Sequence, residues 1–502
     1  MDELLLTRAR VASVTADGVR VHRPRGEPVD VHVRDGRVVA VAAGLDAAVP
    51  SRVPRVDLDG RVVLPGLWDA HVHLGQWALA RRRLDVSGAS SAAAAAQLVT
   101  ARLSGGFDED VLVGFGFRDG LWPDRPTAAL LDAAAERAGR PRTPVVVVAA
   151  DLHCAWLSTA ALEHYGVQGH PDGVLRETDW FGVGEVVSLV PDPLLDAWVA
   201  EATRAAAARG VVGVVDFEIA DNLTAWRRRI PAGDRSLRVE AAVWPGHLDR
   251  VVAEELQTGD VVLGTGGLLT MGPLKVITDG SLNTRTAYCD DPYPGMEGDG
   301  ARGVLSVPTD ELVLLMAHAH RKGLRCAVHA IGDTANALAL DAFEASGARG
   351  SIEHAQLVEP DDVRRFVDLR VVASVQPEHA MDDRDVADRF WAGRTDRAFA
   401  YATLADAGVR LAFGSDAPVA PLDPWAAISA AVTRSRDGRE PWHPEQSVDL
   451  DVALGASVRS RVEPGQVADL VVLDIDPWVV PDPRDMVVAA TMLGGRWTWE
   501  AL

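Results

Sequence analysis

Lysine is almost missing from this chain: only Lys275 and Lys322 occur among its 50 basic residues, so arginine carries nearly all of the positive charge. Cysteine is scarce too, with Cys154, Cys289 and Cys326 far apart and no CxxC pair. That spacing excludes a thiolate zinc site and fits a reducing compartment. Acidic residues outweigh basic ones to a formal net charge of −22, and the resulting long-range repulsion argues against a nucleic acid or an anionic membrane surface as partner. No stretch approaches the roughly 18 apolar residues of a membrane span. The opening MDELLLTRARVASV sets acidic residues before a short apolar run and has no small-residue cleavage site, so no signal peptide is read and a cytoplasmic protein is expected.

What is present is a globular composition, 48% apolar and 24% charged, over 502 residues. That length exceeds one ordinary core, so a large domain with a smaller one, or a barrel with insertions, is expected. From Leu4 to Leu64, short alternating runs broken by Gly, Asp and Pro read as antiparallel β-structure. ADLVVLDIDPW and VVAATMLGGRWTW share that character, so residues 1–61 and 462–502 are expected to form one small β-sandwich. Within 62–461 the pattern changes to apolar strand-like runs at 62–74, 211–218, 237–244, 273–280, 324–332, 350–355, 371–377 and 409–418, alternating with helical stretches rich in Ala, Leu and Arg. These runs predict an α/β fold, a (β/α)8 barrel whose active site lies at the C-terminal ends of its strands. The first two runs are too far apart for one helix, which predicts an insertion at about 80–205.

Chemistry gathers at those predicted strand ends. In DAHVHL, His71 and His73 are two apart in an extended run, so both imidazoles share a face, as a metal with nitrogen ligands requires. His318 and His320 form a second HxH, but in a helical run, where residues two apart diverge by roughly 200°, so that pair is read as helix surface. His329, His354 and Asp416 end later strands, in LRCAVHAIGD, GSIEHAQ and RLAFGSDAP. Lys275, in PLKVITDG, joins them. A buried lysine sheds its proton readily, and the neutral amine can add carbon dioxide to give a carbamate, an oxygen donor that arginine cannot supply.

Taken together, LPGLWDAHVHL, LKVITDGSLNTRTA, HAIGDTA, SIEHAQL, FGSDAPV and VEPGQVADLVVLDIDP resemble the amidohydrolase superfamily, and more narrowly the amidohydrolase-3 group that includes YtcJ-like proteins and N-substituted formamide deformylase. The resemblance covers nearly the whole chain. It implies a distorted barrel, a composite β-sandwich and a centre of one or two divalent metals, usually zinc. His71 and His73 would hold the more buried metal, Lys275 would bridge as its carbamate, and His329 and His354 would hold the second. Asp416 would ligate the first metal and exchange a proton with the attacking water. VVAADLHCAWLSTAAL is similar to a family segment that carries pocket residues, which implies substrate contacts for His153 and Trp156, with Leu152 and Cys154 standing where Gly and Ser are usual. Asp279, Arg285 and His379 are carried over in the same way.

The resemblance implies hydrolysis of an amide-type C–N bond in a small molecule, an N-acyl or N-formyl compound being the first choice. Ester or lactone hydrolysis at the same centre is one alternative. A catalytically silent barrel retained for assembly is another, and a homo-oligomer is compatible with either. Of the 14 tryptophans, Trp77, Trp122, Trp156, Trp180 and Trp425 are available to line an apolar pocket, although core packing accounts for most.

Overall fold

The computed structural model describes residues 3–167, 169–176 and 178–502. Eight parallel strands form the central sheet: β1 (Leu67–Val72), β2 (Val211–Asp216), β3 (Arg238–Val243), β4 (Leu269–Ile277), β5 (Cys326–Ala330), β6 (Gly350–His354), β7 (Val372–Val375) and β8 (Leu411–Phe413). They pair in chain order from β1 to β8, and a parallel bridge between Val72 and Ala417 brings the two edges together, so the sheet is a nearly closed barrel. β2 and β5 are buried along their whole length, because the barrel interior covers one face and the outer helices the other. Inside, Val215, Phe217, Ala242 and Ala327 form a small apolar plug.

The run 62–74 is not one strand. Val62–Pro65 pairs antiparallel with Leu470–Leu473 in a second sheet, which also takes Glu3–Val11, Val29–Arg34, Arg37–Ala42, Arg55–Asp57, Val488–Leu493 and Arg496–Glu500. The sheet built from both chain ends therefore includes residues that the sequence boundary assigned to the barrel. The crossing from one sheet to the other falls at Gly66, where a Cβ would lie 2.3 Å from Val212 Cγ1, so glycine leaves the room that the Val212 side chain fills.

Between β1 and β2 the chain builds a five-stranded sheet from Leu84–Asp85, Leu112–Phe117, Val145–Ala149, Cys154–Leu157 and Val174–Arg176, with apolar clusters on both faces. The end of this region is not separate from the barrel. Helix Asp192–Ala207 buries Val199, Ala202, Ala206 and Ala207 in the barrel's own core and delivers the chain to β2. His318 and His320 lie on α1 (Thr309–Arg321), as the helical reading expects. Among the described residues no helix is long and apolar enough to cross a membrane.

Candidate metal centre

At the C-terminal end of the barrel, His71, His73 and Asp416 place one ligand atom each within 4.8 Å of one another, and His354, His379 and Asp416 do the same. Asp416 belongs to both groups. Its Oδ1 lies 3.2 Å from His73 Nε2 and 3.5 Å from His71 Nε2, while Oδ2 faces His379 Nε2 at 3.9 Å. His329 stands beside the second group, its ring 4.4 Å from that of His354. All of these side chains are buried.

Local backbone conformation aims them. His71 faces the barrel interior from β1, and His73 follows directly after the strand. Gly414 allows this edge to meet β8, since a Cβ there would lie 2.6 Å from His71 N. Asp69, two residues before His71, fastens the same junction by accepting from His71 N and Ser415 N. His354 and Asp416 adopt left-handed φ values of 74° and 56°, and each turns its side chain out of strand register at a cost of roughly 1–3 kcal/mol.

Lys275 lies beneath this centre, 1% exposed, with Nζ 4.6 Å from the Phe217 ring centroid and no hydrogen-bond partner. Burial lowers its pKa to about 8, against the pull of Glu353 and Asp416. Burial also holds His329 and His354 well below the usual histidine range, and His71 likewise, with the Lys275 charge adding to each. For His73 burial acts downward, but the hydrogen bond and charge of Asp416 outweigh it and raise the imidazole, while the Asp416 carboxyl is lowered by His73 despite its burial.

These residues fit a divalent cation. Lys275 Nζ, His73 Nδ1, His354 Nδ1 and His379 Nε2 are all buried without a hydrogen-bond partner, and each such atom costs roughly 1–3 kcal/mol unless something satisfies it. Imidazole nitrogens with a carboxylate make an N/O donor set of the kind zinc and related metals accept.

Other expected contacts lie elsewhere. The cavity over the centre is lined by His153, His329, His354, His379 and Asp416, together with Arg118, Asp151, Asp382 and Asp383. Trp156 is not part of it: fully buried, it packs edge-on to Phe117 in the core of the inserted sheet. Asp279 is 0% exposed and accepts from the backbone N–H groups of Tyr288, Ile331 and Gly332, so it fastens two loops, and its Oδ1 lies 3.4 Å from His329 Nε2 behind the cavity wall. Arg285 stacks over Phe390 outside the lining. Trp77, Trp180 and Trp425 are buried in cores as well, and Trp122 packs on Phe117.

Sequence reasoning overlooked Glu353, whose Oε2 lies 2.7 Å from His71 Nδ1, and Gln376, whose amide reaches the same nitrogen at 3.5 Å. It also overlooked Asp69, although 69, 71 and 73 share one face of an extended run. The acidic residues of α2 (Pro377–Phe390) carry no motif of their own, and only the fold brings them to the cavity.

The chain has relatives along its length. It is 28% identical to the protein LONG AFTER FAR-RED 3 of Arabidopsis thaliana, over 92% of this chain and 87% of that one. It is 26% identical to an N-substituted formamide deformylase of Arthrobacter pascens over 100% and 99%. The solved structure of an uncharacterized metal-dependent hydrolase from Pyrococcus horikoshii superposes with a TM-score of 0.78 at 26% identity, covering 96% of this chain and 99% of that one. The sequence model of the amidohydrolase family matches residues 55–498, which takes in every strand of the barrel and every donor at its rim, and on that match the chain belongs to the amidohydrolase family.

Proposed function

We propose that the protein is a metal-dependent hydrolase that cleaves the amide-type C–N bond of an N-acyl or N-formyl compound. The observation that carries this reading is the convergence on Asp416 of His71 and His73 from one side and of His354, with the His329 ring beside it, from the other. Family membership and the likeness to a metal-dependent hydrolase and to a formamide deformylase support it.

In the proposed site His71 and His73 would hold one cation and His329 and His354 a second, with zinc as the metal. Lys275 would add an oxygen donor to them as its carbamate, formed when the neutral amine adds carbon dioxide and releases a proton. The unpartnered, buried Nζ is the structural support for that modification. When bound, the metal supplies Lewis acidity, which polarises a substrate carbonyl and makes a water acidic enough to attack near neutral pH. Asp416, kept ionised by His73, accepts the proton of the attacking water and passes it to the departing amine. Glu353 accepts from His71 Nδ1 and so fixes that ring with Nε2 toward Asp416. His153 and His379, on the cavity wall, would contact the substrate.

The test is hydrolysis of N-formyl and N-acyl amines, with matched esters and lactones, by protein stripped of metal and then reloaded with zinc in bicarbonate. Cleavage of the amides only after reloading is the expected result. Cleavage of esters or lactones alone would replace this reading with the ester one. Failure of a folded protein to take up metal would reject a hydrolase altogether. All three cysteines are buried, which accords with the proposed cytoplasmic location.

A further inference from the structure

The cavity wall presents hydrogen-bond acceptors and carboxylates with too few partners. Asp382 is fully matched: Arg118 lies 3.0 Å and Arg436 2.7 Å from it, and Arg436 is held in turn by Glu378. Four residues on from His379 along α2, Asp383 lines the same cavity with no hydrogen-bond or ion-pair partner among the described residues. Among the described residues Asp151, from the inserted domain, accepts from the Ser281 hydroxyl at 3.1 Å, the Asn283 amide at 3.3 Å and the backbone N–H of His153 at 3.1 Å. A separate observation concerns Gln356. Only 3% exposed, it donates from Nε2 to His379 Nδ1 and leaves Oε1 unpartnered beside the cavity.

An unpartnered buried acceptor calls for a donor, and an unmatched carboxylate for a cation. Arg118, the guanidinium on this wall, bonds Asp382 and reaches Asp383 only through space, so a hydrogen-bonding cation at Asp383 has to arrive with the ligand. Burial raises the Asp383 carboxyl to about 7, so a cation beside it favours the ionised form, whereas an anionic substrate would meet Asp151 and Asp383 in a poorly solvated cavity where like charges repel.

We propose that the substrate carries a positively charged nitrogen, an alkylammonium or similar group, which docks against Asp383 and Asp151 while the bond to be cleaved lies at Asp416. Asp383 and Asp151 are then specificity residues. The inference rests on the amide-hydrolase reading for the bond cleaved, but not for the charge preference.

The test separates the two. N-(aminoalkyl)methanesulfonamides of increasing chain length resist hydrolysis and report binding alone. Their dissociation constants for the metal-loaded protein are compared with those of the hydroxyalkyl and carboxyalkyl analogues. The expected result is an ammonium form that binds about tenfold or more tightly than the hydroxyl form, the size of one charge-assisted hydrogen bond, with the carboxylate weakest. Asp383→Asn, or Asp151→Asn should the first variant not fold, is expected to narrow the ammonium-to-hydroxyl ratio to within about threefold. Equal or tighter binding of the carboxylate, no binding by any member, or an unchanged ratio in both variants would overturn the proposal. Turnover of the matching acetamides and acetate esters is then measured separately. An ammonium preference in binding together with cleavage of the esters alone would uphold the charge inference and reject the amide reading.

Discussion

Glu353 Oε2 and His71 Nδ1 lie 2.7 Å apart, although 282 residues separate them in the chain. Ser351 and Gln376 complete the arrangement, the first bonded to Glu353 and the second approaching His71. A carboxylate that orients a ligating imidazole normally sets metal affinity more than fold stability. Glu353→Gln is therefore expected to weaken metal binding by about 10–100-fold, as read by competition with a chelator, while circular dichroism shows a folded protein.

On the proposed mechanism, Lys275 is expected to separate catalysis from stability. Lys275→Met keeps the volume but loses both the amine and its buried, unpartnered charge. Activity should fall by roughly a hundredfold or more, while the melting temperature of the metal-free protein holds or rises. A variant that retains full activity would remove the carbamate from the mechanism.

Trp156 gives the opposite pattern. Because it sits in the core of the inserted sheet, Trp156→Ala should cost about 3–5 kcal/mol in denaturant unfolding. Trp156→Phe should leave KM where it was, whereas a pocket residue would shift it.

Asp221 sets a pH dependence away from the centre. It caps helix Asn222–Ala232 through Thr224 N and forms a bidentate pair with Arg250. The Arg250 hydrogen bond holds its carboxyl well below the usual 3.8. A carboxyl lowered in the folded state adds stability that is complete above the unfolded pKa and is lost as pH falls toward the folded one. Asp221→Ala should thus cost about 1 kcal/mol at neutral pH, with the gap to wild type constant down to about pH 5 and closing below about 4. Urea unfolding at several pH values checks both parts.

The sequence by itself determined the strand count, the inserted region and the residues that end the strands in quoted motifs: His71, His73, Lys275, His329, His354 and Asp416. Period-2 alternation, apolar runs and the chemistry of single side chains are local properties, so they can be read without a fold. The same locality explains the errors. Trp156 lies in Cys154–Leu157, where all four residues are buried between two layers, and alternation cannot say which layer a side chain meets. Asp279 has the composition of a binding residue, yet the backbone amides of Tyr288, Ile331 and Gly332 hold its carboxylate behind His329, outside the cavity lining. Only the tertiary structure decided that Asp416 stands between both donor groups, that Glu353 faces His71, and that Asp383 is left unmatched while Asp382 is paired twice. Those outcomes depend on barrel closure and on which cations the fold brings near, and they are set by contacts between residues tens to hundreds of positions apart.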